Sequence, residues 1–295
     1  MLFRQTNIIW VAFVGVQSLG PYLLHLIHTS QMERGAKFSL TTRGQAVEVF
    51  EGLYTLVFVH PRRGLHFLPF VFKVAGGYLL VGVAFVVFVV INDGIVVGDR
   101  SAHAATFHPM QVCYFAAFAL AFSSPYCVTR TRLLHFVHFA RKHWVFVGVC
   151  ALAVAFCIDS YTLAHPYLLA DNRHYTFYIW RRIIARTPYT KYVLLPVYVY
   201  AGYCTLHALR HNSIVFKLSF PLFVCLNLMP QSLLEFRYFV IPYLLYRLQV
   251  RPTSWRKLGA ELCLYLLVNA ITIALFIGKP FVWSHEPGQV QRFIW

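Results

Sequence analysis

The stretch LPFVFKVAGGYLLVGVAFVVFVVI, residues 68–91, carries one charge, Lys73, in twenty-four consecutive positions. A helix of that length rises about 36 Å, and roughly 20 apolar residues cross a bilayer core of about 30 Å. Similar runs lie at 8–28, 109–126, 143–163, 190–209, 213–229, 234–249 and 258–278. In lipid, each backbone N–H and C=O must find its partner within the protein, so such runs are expected to be helices. The runs 213–229 and 234–249 are short, and the second opens on Glu235 and Arg237. Nothing repeats at a fixed period, and no low-complexity linker divides the chain. The expected fold is all-α: a polytopic membrane protein with about eight transmembrane helices, residues 1–295 forming a single transmembrane domain.

Composition agrees. Hydrophobic residues are 59% of the 295, against about 45–50% in soluble domains, and charged residues are 12%, about half the usual share. Twenty-six Lys and Arg face ten acids, a formal charge of +16. In a soluble chain that balance would point to nucleic acid. Among apolar spans it is the signature of basic loops that set orientation, so no nucleic-acid partner is expected. The seven cysteines form no C-x-x-C pair, which argues against a disulfide framework or a zinc site. No cleavable signal peptide is read.

Alternation of the spans puts connections 29–67, 127–142, 210–217 and 247–257 on one side. They hold fifteen bases against ten on the other side, with Lys73 left inside a span. The richer side is expected to be cytoplasmic, so both chain ends face away from the cytoplasm. The poorer side is the more informative. It gathers FRQTN (3–7), NDGIVVGDRSAH (92–103), AHPYLLADNRHYTFYIWRR (164–182) and PQSLLEFRYF (230–239). Asp93, Asp99, Asp159, Asp171, Glu235 and Glu286 lie on this face or at its edge. Four polar segments over a helical scaffold suggest a site built from loops.

Arg173, Arg181 and Arg182 run against the orientation rule. A guanidinium fork matches phosphate oxygens and keeps its charge; Arg4, Arg100 and Arg237 are candidates for the same face. The plainer reading of Arg181 and Arg182 is headgroup anchoring beside Trp180 and the tyrosines. Asp171 and Asp99 sit next to arginines, where a local ion pair competes with sugar recognition. His103, His165 and His174 are candidate acids, bases or phosphate donors, with His174 the strongest because of its setting. His103 and His108 lack a third ligand in sequence, so no metal is expected. On a helix, Glu235 and Arg237 would point about 200° apart and take separate partners.

Residues FRQTNIIW (3–10), GDRSAH (98–103), HPYLLADNRHYTFYIWRR (165–182), LLEFRYFVIPYLLYR (233–247) and QRFIW (291–295) together resemble the endoplasmic-reticulum α-1,2-glucosyltransferases that add the third glucose to the lipid-linked oligosaccharide. The resemblance covers nearly the whole chain and is weakest over 29–64. It implies the type C glycosyltransferase architecture and a multi-pass protein of the endoplasmic-reticulum membrane with its site facing the lumen. The implied donor is dolichyl phosphate glucose, the acceptor the diglucosylated dolichol-pyrophosphate oligosaccharide, and the reaction inverting; no cofactor is expected and no metal ligand is assigned. With the polar clusters read above, the candidate substrate contacts are Arg4, Asn7, Asp99, Arg100, His103, Asp171, Asn172, Arg173, His174, Tyr175, Arg181, Arg182, Glu235 and Arg237. Family members carry an earlier luminal loop rich in acids, which supplies the catalytic carboxylate. The sequence here starts at a segment that lies mid-chain in the family, so it reads as an N-terminally truncated member and no catalytic residue is assigned. Two rivals stand beside this reading: a non-catalytic membrane protein that binds glycolipid, and a transporter of anionic solutes. The transporter predicts inverted repeats, which the sequence does not show.

Overall fold

The computed structural model describes residues 6–32, 42–59, 61–95, 106–251, 254–284 and 286–294. Helices dominate them. The first are α1 (Asn7–Met32), α2 (Thr42–Tyr54), α3 (Pro61–Ile91), α4 (Met110–Phe122), α5 (Ser124–Cys127), α6 (Arg130–Lys142) and α7 (Trp144–Tyr161). Then come α8 (Pro166–Ala170), α9 (Tyr175–Ile179), α10 (Thr190–Val193) and α11 (Leu195–Ala208). The last are α12 (Ile214–Leu228), α13 (Val240–Gln249) and α14 (Trp255–Gly278), followed by a hairpin of β1 (Phe281–Val282) and β2 (Val290–Gln291).

Among the described residues, five helical segments are long and apolar enough to cross a membrane: Asn7–Thr29, Leu65–Ile91, Trp144–Tyr161, Thr190–His211 and Trp255–Gly278. The second, third and fifth bury only 6% of their most apolar window inside the protein. A water-soluble fold does not leave such faces bare; lipid solvates them. The expected runs 109–126 and 213–229 become the shorter apolar helices Met110–Phe122 and Ile214–Leu228. The run 234–249 is helical only in its second half, where α13 has 10 residues. That is about 15 Å of rise, half a bilayer core. Its first half stays out of regular α-helix, which keeps Glu235 and Arg237 off a lipid-facing helix, where each charge would cost about 2.5–3.5 kcal/mol.

The chain divides into two compact units, residues 1–104 with 212–227, and 105–211 with 228–295. In the first unit α1 is the hub. Phe13 meets Phe216, Phe220 and Phe223 of α12 edge-on at 5.6–6.2 Å. Gln17 donates to Ser219 Oγ at 2.6 Å, a polar tie between two apolar helices. Ile27 and Val49 close a small core with Ile214 and Val215, which seats α2. A Cβ on Gly52 would come within 2.7 Å of Ile27, so glycine lets α2 approach α1, as small residues do between membrane helices. The chain leaves α3 through Asp93 at φ 51 and Gly94 at φ 145. Asp is among the few residues that accept the left-handed region there.

In the second unit α4 packs along α11, with α7 beside them. Helix direction sorts the connections to two ends. At one end Arg247 and Glu261 pair, and Tyr126 and Tyr265 donate to the Glu261 carboxylate at 3.1 and 2.7 Å. Glu261 is buried; it sits in an apolar run, and its cation comes from the end of α13. At the other end buried Gln111 donates to the Gln231 and Leu233 carbonyls at 3.1 and 3.0 Å. His108 Nδ1 donates to the Gln231 carbonyl at 3.2 Å. These two side chains of the α4 N-terminus hold the non-helical turn that leads into LLEFRYF.

Candidate functional site

The site lies at the end of the second unit that carries residues 159–194, 229–239 and 279–294. His165 caps α8 by accepting the Tyr167 N–H at 3.2 Å, which gives it a structural task. The chain then folds into a tight knot. The Asp171 carboxylate accepts the Arg173 backbone N–H at 2.9 Å, closing an Asx turn. It also accepts the guanidinium fork, Nε at 3.0 Å and Nη2 at 2.7 Å. His174 Nε2 stands 3.6 Å from the same carboxylate.

The C-terminal hairpin straps this knot down. Arg173 Nη1 donates to Gln291 Oε1 at 3.3 Å. Trp283 Nε1 donates to Asn172 Oδ1 at 2.7 Å, and the Arg173 guanidinium stands 4.9 Å from the Trp283 ring centroid. The Ile294 N–H donates to the Arg173 carbonyl at 2.9 Å, and His174 bridges Ile294 in parallel. Phe293 stacks on Tyr175 at 6.2 Å and meets Tyr178 edge-on at 5.6 Å. Burial alone would raise the Asp171 carboxyl, but the Arg173 bonds and charge outweigh it and hold the group below its ordinary value.

Beyond the knot, α9 runs into a single π-helical turn, Trp180–Ile184. Such turns recur at functional sites. Trp180 and Ile184 are buried, whereas Arg181 and Arg182 are exposed. Arg182 stands 5.5 Å from the Tyr178 ring centroid and Arg181 5.9 Å from that of Phe177. The ion pair Glu235–Arg237 corrects the sequence expectation of separate partners. Glu235 is extended, φ −134 and ψ 132, ahead of a 3-10 turn over Phe236–Tyr238. The pair therefore does not have the α-helical spacing assumed from sequence.

Between these segments lies an apolar groove of about 530 Å³. The 164–182 region gives it Tyr175, Tyr178 and Ile179, the LLEFRYF segment Leu234, Phe236 and Phe239, and α4 its floor, including Phe118. Two polar segments well separated in sequence thus share one apolar cleft, with Arg182 over Tyr178 on its wall. Asp159, at the end of α7, accepts from Tyr192 at 2.8 Å and Lys191 at 3.4 Å.

Of the residues singled out from sequence, Asp171, Asn172, Arg173, His174 and Tyr175 come together in the knot, Arg182 stands over Tyr178 of the groove, and Arg181, Glu235 and Arg237 lie beside groove-lining residues in the chain. Asn7 opens α1 in the first unit. Arg4, Asp99, Arg100 and His103 lie outside the described residues. Sequence reasoning missed Gln111, Trp283 and Gln291 as the props of the knot and the groove. A glutamine inside an apolar run was the available signal for Gln111; for the hairpin pair there was none.

An apolar cleft set among helices long and apolar enough to cross a bilayer defines a multi-pass helical membrane protein. The DIE2/ALG10 family pattern matches residues 1–248, and the chain belongs to that family. The curated relatives include a rat "Dol-P-Glc:Glc(2)Man(9)GlcNAc(2)-PP-Dol alpha-1,2-glucosyltransferase", 39% identical over 100% of this chain and 61% of its own length. Proteins of the same name from human and Arabidopsis thaliana are 37% and 33% identical, again over 100% of this chain and over 61% and 65% of their own lengths. The chain therefore spans about three-fifths of the curated relatives it matches. No solved structure gives a significant match.

Proposed function

We propose that the chain belongs to a luminal α-1,2-glucosyltransferase of the endoplasmic-reticulum membrane. It would move glucose from dolichyl phosphate glucose to the diglucosylated dolichol-linked oligosaccharide during N-glycan precursor assembly. The observation that carries this reading is the groove of about 530 Å³ walled by the same segments that bear the cations. The names of the curated relatives support it. In this reading the isoprenoid chain lies in the groove, and the donor phosphate meets Arg182, with Arg181 and Arg237 nearby. Arg173 is a positioning residue, because its fork is already given to Asp171.

Inversion asks for one in-line displacement. The acceptor hydroxyl oxygen bonds to the anomeric carbon while the bond to the phosphate oxygen breaks, and the phosphate leaves with the electron pair. Cations at the phosphate stabilise that developing charge, and a carboxylate takes the hydroxyl proton. Asp159, Asp171 and Glu235 are each bonded to a cation or a phenol, which suits them to positioning, and the base is left unassigned among them. That same observation favours a second reading, a non-catalytic glycolipid-binding membrane protein.

The test is an assay of this chain in microsomes that lack the endogenous activity, with radiolabelled dolichyl phosphate glucose and the diglucosylated acceptor. Transfer above background supports the enzyme. Donor binding without transfer supports the second reading, and neither binding nor transfer sinks both.

A further inference from the structure

The opposite end of the second unit carries a second apolar groove, of about 420 Å³, between α6, α7 and α11. Its walls include Phe136, Phe139, Phe146, Gly202, Tyr203 and His207. Helix α6, RTRLLHFVHFARK, has no buried residue. At about 100° per residue, Phe136, Phe139, Ala140, Leu133 and Val137 fall on one half of its surface. Arg130, Arg141, His138, Lys142 and His135 fall on the other half together with exposed Leu134, and Arg132 falls between Phe139 and Phe136 on the first half. Its inner edge is fixed by Phe136 against Tyr200 and Tyr203, both at 5.1 Å, and by Phe139 against Tyr203 at 5.3 Å. Leu133 and Val137 remain exposed. A basic polar face opposite an exposed apolar face is the pattern of a helix lying in the membrane interface.

The charged side chains of α6 and α11 are all basic, and the acid at this end, Glu261, is already paired with Arg247. Arg132 lies about one turn before groove-lining Phe136 on α6, and Arg210 follows groove-lining His207 by three residues, its Nε donating to His211 at 2.8 Å. No Asp or Glu occurs between residues 100 and 158 or between 172 and 234, so neither α6 nor α11 supplies a counter-charge. Basic residues at a membrane surface attract anionic headgroups, and the neighbouring face of α7 exposes Phe146 and Val149.

We propose that this end holds one anionic glycerophospholipid, with an acyl chain in the α6–α7–α11 groove and its phosphate on Arg132 and Arg210. The two grooves share Tyr198 in their lining, but this site uses arginines other than those assigned to the glycolipid and stands whether or not that assignment holds. The test is native mass spectrometry of the full chain released from phosphatidylcholine nanodiscs with and without phosphatidylserine. Wild type is expected to retain one phosphatidylserine in at least about tenfold preference to phosphatidylcholine. A Cβ on Gly202 meets nothing within 4 Å, so Gly202→Trp fills the groove and loses the retained lipid. The double substitution Arg132→Gln with Arg210→Gln retains lipid but loses the preference. Equal retention of both lipids by wild type, an unchanged preference in the arginine double variant, or displacement by equimolar dolichyl phosphate overturns the proposal. If Gly202→Trp does not fold, the arginine pair, at the groove's rim, decides alone.

Discussion

Replacing Arg173 by lysine keeps the charge but removes the planar fork that holds Asp171. The expected result is a fall in kcat for glucose transfer of about 10–100-fold, the equivalent of one charge-assisted hydrogen bond, with little change in the KM for donor. Arg182→Ala is expected to do the reverse, raising the donor KM more than it lowers kcat. Steady-state kinetics on the two variants separate a positioning arginine from one that meets the phosphate. Acid supplies a second check. The folded Asp171 carboxyl lies below its ordinary value, near 3.9 in the unfolded chain. The stability it contributes is therefore complete above that value and is lost as pH falls through the lower folded one. Hydrogen exchange of the 281–294 peptide, corrected for its intrinsic pH dependence, should stay protected at pH 5 and lose protection in acid. The Asp171→Asn variant should be unprotected at both. The density of polar residues in ADNRHYTFY was legible from sequence, and so was its link to LLEFRYF. The division of labour was not: whether an arginine serves a ligand or a neighbour depends on which carboxylate the folded chain brings to it, and the Gln291 and Trp283 partners lie more than a hundred positions away.

Among the elements, α13 and α14 show how polar residues survive between apolar helices. Glu261 is buried and receives Arg247, Tyr126 and Tyr265. Glu261→Ala leaves the guanidinium without its counter-charge and is expected to cost about 3–5 kcal/mol. Glu261→Gln, which keeps acceptors for the phenols, should cost less. Thermal unfolding in a fixed detergent measures the difference, and equal midpoints for the two variants would contradict the network's role. The long apolar runs predicted their helices well, because length and absence of charge are written locally. The run 234–249 did not, since its apolar content hides a 3-10 turn whose support comes from Gln111 on α4. The pairing of Glu235 with Arg237 follows from that same local backbone, not from helical spacing.

At the scale of the whole molecule, each end of the second unit has its own chemistry. One carries arginines beside acids and the larger groove; the other carries a basic helix with a smaller groove and, at its buried core, the Arg247–Glu261 pair. In the proposed reading the larger groove receives a polyprenyl phosphate whose phosphate lies beside Arg182. Photolabelling with dolichyl phosphate glucose bearing a diazirine on its isoprenoid chain, followed by peptide mapping, tests this most directly. The prediction is label on residues 175–184 and 234–239, competed by unlabelled donor and reduced in Arg182→Ala. Label confined to other segments, or label at these residues that unlabelled donor does not displace, would contradict it.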